Sequence, residues 1–146
     1  MAAVDASRLI AFDDDDLAIV SAHVHDARVR VGDIVWRRAD RRLVLGIERI
    51  DWENAPEAAS ETPRTVSALR FDRVLACRSC NIDRDRLDAT FDLLAVEFTE
   101  TDAPGGTVTL LLAPPSSAGT AEPAAIQLDV ECIECQLVDL GKAAAR

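Results

Sequence analysis

At 146 residues the chain has the size of one domain, spanning 1–146, and can bury roughly 70% of its unfolded surface. A net charge of −10 and a pI of about 4.6 exclude whole-molecule attraction to nucleic acid or to an anionic membrane. No stretch approaches the roughly 20 apolar residues of a spanning helix, and the opening residues lack the basic start and apolar core of an export signal. The expected compartment is therefore the cytoplasm, where cysteines stay reduced.

Taken in order, Ser7–Phe12 reads as a short strand. Asp13 is placed to cap a helix over 14–26. Asp14, Asp15 and Asp16 lie in its first turn, where the helix dipole favours negative charge, and Leu17, Val20 and Val24 recur at helical spacing. Four consecutive acids diverge around a helix axis, so they do not form a cation site.

Arg28–Trp52 reads as one long β-hairpin. Val29 and Val31 share a face, and the apolar set then switches parity to Ile34 and Trp36 after Gly32. On the return, Leu43, Leu45 and Ile47 are followed by Ile50 and Trp52, past Gly46. A bulge at each glycine would reconcile the phases and curl both arms. The tip carries Arg37, Arg38, Arg41 and Arg42 around Ala39 and Asp40. Residues 28–49 hold seven arginines against Asp33, Asp40 and Glu48, which makes a basic hairpin on an acidic body.

Residues 53–64, rich in Ala, Glu and Pro, read as a surface loop, and Thr65–Cys77 as one strand with imperfect alternation, Leu69, Phe71 and Leu75 sharing a face. Phe91–Thr99 should turn Leu94, Val96 and Phe98 inward. Glu100–Gly106, with a proline and paired glycines, should turn into a strand over Thr107–Leu112. A second loop covers 113–123, and Ile126, Leu128 and Val130 form a last strand. Val130, Ile133, Leu137 and Leu140 then fall at helical spacing, which predicts a closing helix stopped at Gly141.

Cys77, Cys80, Cys132 and Cys135 form two CxxC pairs, a donor set known from tetrahedral zinc. The gap between the pairs is far longer than a zinc ribbon's. A redox role would need the motif at the start of a helix in a βαβ unit. His23 and His25, two apart on a helix, point to different sides. No nucleophile elbow, phosphate loop or paired-His motif is present, and no cofactor is implied.

SRLIAFDDDDLAIVSAHVHDA, VGDIVW with RLVLGIERIDWE, LRFDRVLACRSCNID, LLAVEF, DAPGGTVTL and IQLDVECIECQLVDLG together resemble an uncharacterised bacterial family, domain of unknown function 2948, over about residues 7–141. The resemblance implies no reaction, cofactor or catalytic residue. The family pattern it evokes does not hold both cysteines of each pair, which weakens the zinc reading.

The expected fold is α+β, a single domain with a curled antiparallel sheet or half-open barrel of about seven strands and an amphipathic helix near each end. A pleckstrin-homology-like barrel is a variant. The expected function is a non-enzymatic cytosolic protein-interaction or adaptor module of unknown partner, touching a protein or anionic group through Arg37, Arg38, Arg41 and Arg42. One alternative is a small zinc-stabilised domain on Cys77, Cys80, Cys132 and Cys135. The other is an enzyme whose scattered site residues a single sequence does not reveal.

Overall fold

The most local of these expectations is the helix start, and a computed structural model of the chain, describing residues 8–51, 63–114 and 123–142, forms it as read. Helix α1 (Asp14–Val24) is capped by Asp13, whose carboxylate accepts from the Asp16 amide at 2.8 Å. Leu17, Val20 and Val24 are its buried stripe. Strand β1 (Arg8–Ala11) precedes it.

The hairpin forms as β2 (Ala27–Arg37) and β3 (Arg42–Ile50), joined by a short 3₁₀ turn and by Arg41 in the left-handed conformation, φ 53°. Its two glycines behave differently. Around Gly32, β2 leaves its partner: Val29 opposes Ile47 and Ile34 opposes Leu45, so five steps on β2 match two on β3. The Val31 and Gly32 amides donate instead to the carbonyls of Ala89 and Leu87. A Cβ on Gly32 would sit 3.0 Å from the Leu87 carbonyl oxygen, so the close approach favours glycine.

Gly46 is no kink. β3 pairs without interruption to β4 (Arg64–Phe71), Gly46 opposite Ala68, and the inward parity continues from Leu45 through Ile47 to Arg49. The apparent phase change arises because an arginine occupies an inward position. Trp52 lies outside the described residues, as do the expected loops except for a few flanking residues.

The expected α+β fold with two helices and about seven strands is overturned. The described residues form one antiparallel sheet of nine strands and the single helix α1. Two segments account for the difference. Thr65–Cys77 is not one strand: it breaks at Asp72–Arg73, where Arg73 has φ 61°, into β4 and β5 (Val74–Cys80). The remaining strands are β6 (Thr90–Asp102), β7 (Gly105–Ala113), β8 (Ala124–Val130) and β9 (Cys135–Lys142). β9 stands where the closing helix was expected. Val130 and Ile133 are buried at the end of β8 and in the following turn, and Cys135 and Leu137 on alternating positions of β9; Leu140 is exposed at a register shift. Apolar residues on both sides of a strand–turn–strand had imitated a helical stripe. With β9 in place of the closing helix, the pleckstrin-homology-like variant falls too.

The strand order is β1-β9-β4-β3-β2-β6-β7-β8-β5. β4 and β5 are joined by two residues yet stand six places apart, which in a flat sheet would be about 29 Å. A two-residue link spans at most about 10 Å, so the sheet must curl back on itself. The meeting point is one corner: the Val74 amide donates to the Arg41 carbonyl, Asp72 to Glu134, and Glu131 to Arg73. Between the curled layers lies one apolar core including Leu43, Leu45, Phe71, Leu110 and Leu128.

α1 docks where β6 is bulged. Leu93 is buried and Leu94 exposed, the reverse of the expected phase, with a register shift between Leu93 and Ala95. The groups released by the bulge bind the helix: the Val96 amide donates to Ser21 Oγ at 2.9 Å, and His25 Nδ1 donates to the Leu94 carbonyl at 3.0 Å.

Candidate functional site

The arginine tip is the first expected site. Arg37 Nε donates to Asp40 at 3.0 Å, Arg41 reaches Glu131 at 3.4 Å, and Arg42 Nε donates to Asp72 at 2.8 Å. Burial alone would raise the Asp72 carboxyl, but Arg42 and Arg70 outweigh it and hold it below the usual carboxylate range. Arg73 and Glu134 complete a charge-balanced corner around the two links that force the sheet to curl. Arg38 forms no ion pair among the described residues and stands exposed beside Arg37. Such exposed pairs contribute little stability, about 0–1 kcal/mol each, so Arg37 and Arg41 are exchangeable contacts.

The four cysteines are the second. The structure does not bring them together. Val74 opposes Val130 and Cys80 opposes Ala125, so Cys132 lies near one end of the β5–β8 pair and Cys80 at the other, roughly 20 Å apart along the strand. Zinc needs its sulfurs within about 2.3 Å of one centre. Cys135 faces the core, where burial, reinforced by nearby Asp72, pushes its thiol up to about 12. Among the described residues no three His, Cys, Asp or Glu side chains converge to hold a metal ion. Cys80 is exposed and Cys135 is 1% exposed. Alkylation of native protein with a maleimide, read by peptide mass spectrometry, should label Cys80 first and Cys135 only on global unfolding.

His23 and His25 part company as expected, the first bonding the Ile19 carbonyl within its own helix and the second reaching β6.

Sequence reading missed a third feature. β2 loses its β6 partner after Arg30, and β5 is a sheet edge. At the corner the Val74 amide, at the start of β5, donates to the Arg41 carbonyl in the turn that follows β2. The slit between them is a cavity of about 200 Å³. Val31, Ile34, Trp36 and Leu43 line one side, Cys77, Ser79 and Ile126 the other, and Ile82, Arg84 and Leu87 close the end. Burial pushes the Cys77 thiol up, against the opposing pull of Arg78 and Arg84, so it stays protonated near neutral pH. No carboxylate or imidazole is among the lining residues. The only sequence signal was the parity change at Gly32; β5 as an edge was invisible while Thr65–Cys77 read as one strand. In a larger hollow most of the lining charges are already paired, Arg28 with Glu48 and Arg30 with Asp33, with Asp88 beside them.

This chain matches the family described as Protein of unknown function (DUF2948) over residues 7–146. The chain belongs to that family. No curated protein and no solved structure matches it. Within this DUF2948 chain no described helix is long and apolar enough to cross a membrane, and the slit and the arginine corner both fall inside the matched range.

Proposed function

We propose that the protein is a non-enzymatic interaction module that recognises its partner through the slit between β2 and β5, with Arg37 and Arg38 as flanking contacts for a protein surface. The observation that carries this reading is the slit's chemistry: an apolar trough with a half-buried Trp36 and a few polar groups. Concave, mostly apolar sites with sparse polar groups are the usual form of binding sites, and tryptophan and arginine are enriched among residues that dominate binding energy. A thiol held protonated by burial is a poor nucleophile, which favours binding over catalysis at Cys77. The arginine tip adjoins the other end of the slit, at the corner where the Val74 amide meets the Arg41 carbonyl, so one partner would meet both.

The test is affinity purification from native cells, comparing the unmodified chain with Ser79→Phe, which fills the slit, and with the double variant Arg37→Glu, Arg38→Glu. A partner held by the unmodified chain should be lost with Ser79→Phe and weakened with the charge reversals. A partner set indifferent to both variants overturns the proposal.

A further inference from the structure

The slit's lining restricts what can occupy it. Its walls are aliphatic and indole, its polar groups are the Ser79 hydroxyl, the Cys77 thiol and the Arg84 guanidinium, and its charge comes from Arg84 alone. Arg84, at the end of the slit, is exposed and forms no ion pair among the described residues, although Arg78 nearby is held by Asp129 at 2.7 Å. Arg84 is near enough for its charge to act on the Cys77 thiol that shares the slit. An apolar trough with one unneutralised guanidinium at its rim is complementary to an amphiphile with one anionic end. The volume lies below the roughly 300 Å³ at which drug-sized sites begin, so the occupant has on the order of ten non-hydrogen atoms.

We propose that the slit between β2 and β5 binds a small organic carboxylate, its apolar body against Ile34, Trp36 and Ile126 and its carboxylate at Arg84 with Ser79. This rests on the slit being the recognition site and adds the chemistry of the ligand. A carboxylate suits a guanidinium because two parallel N–H donors match its two oxygens. The aliphatic chain displaces poorly held water from an apolar wall, the main source of affinity in such sites.

The probe is octanoate, with 1-octanol as its uncharged counterpart and 1-naphthylamine, of similar size, as a neutral fluorescent filler. Binding is measured on the full chain by titration calorimetry and by the indole N–H resonances in NMR. Octanoate should bind about tenfold more tightly than octanol. Arg84→Gln, at an exposed position that leaves the core untouched, should abolish that preference and leave octanol unchanged, and Arg84→Lys should restore part of it. Ser79→Phe should remove all three probes. If the naphthylamine and octanol bind and Ser79→Phe removes them, but octanoate shows no advantage, the carboxylate inference is wrong and the slit stands. If no probe binds, or Ser79→Phe leaves them all bound, the slit takes no small ligand and this inference falls, while the partner reading is decided by the Ser79→Phe affinity purification.

Discussion

Arg49→Met is expected to cost about 3 kcal/mol of stability, measured by urea unfolding at neutral pH. Arg49 is 4% exposed and occupies an inward position of β3. Its Nε and Nη2 donate to the two oxygens of Asp139 at 2.9 and 2.8 Å, and Nη1 donates to the Ile50 carbonyl at 3.1 Å. Ser67 Oγ also donates to Asp139, at 2.7 Å, so one carboxylate on β9 gathers donors from β3 and β4. Removing the guanidinium leaves that carboxylate half-satisfied among buried neighbours, which is why breaking one side of such a pair costs more than the pair contributes. The double variant Arg49→Met, Asp139→Asn should recover part of the loss.

The same site gives this effect a pH dependence of definite sign. Burial would raise the Asp139 carboxyl, but hydrogen bonds from Arg49 and Ser67 outweigh it and hold it below the usual carboxylate range. A depressed folded value contributes stability above the unfolded carboxylate range, near 3.9, and loses it as pH falls through the folded value. In Arg49→Met the opposing donors are reduced and burial acts more freely. The gap in stability between unmodified and variant protein should therefore be widest at neutral pH and narrow below about pH 4. A gap that stays constant from pH 7 to pH 3 would show that Arg49 acts through packing alone.

Phe71→Ala is expected to destabilise by about 3–5 kcal/mol, with Phe71→Leu costing far less. Phe71 is 1% exposed, ends β4, and is flanked in the sheet by Leu43 on β3 and Cys135 on β9. Immediately after it the chain turns through Asp72 and Arg73 into β5, at the other end of the strand order. A cavity here cannot collapse easily, because the ring sits where short links pin the curled layers together. For a chain of this size the loss corresponds to a fall of roughly 6–20 °C in melting temperature, readable by circular dichroism.

Several elements were legible because their causes are local. Asp13 with three further acids specifies a capped helix start; the Pro104, Gly105 and Gly106 stretch specifies a turn between β6 and β7; and alternation in Leu43, Leu45 and Ile47 specifies a strand with one buried face. The four tip arginines were correctly placed at a hairpin end, but not the carboxylate partners of Arg41 and Arg42, since Glu131 and Asp72 come from distant segments. Of the slit only the parity change at Gly32 was legible, because its walls belong to strands far apart in sequence, β2 and β5. Leu94 was assigned inward by simple alternation, and the bulge that turns it outward is set by the docking of α1.

By itself, then, the sequence determined the positions of turns, caps and most extended segments, because the causes act within a few residues. Tertiary structure decided what those segments became. Val130, Ile133, Leu137 and Leu140 fit a helical stripe as well as a strand, and pairing of residues 135–142 with β4 and β1 selected the strand. Thr65–Cys77 fits one strand as well as two, and only the burial of Phe71 and Val74 in different layers of the curled sheet broke it. The physical reason is common to both: apolar periodicity states which residues must leave water, and the neighbour that buries them comes from elsewhere in the chain.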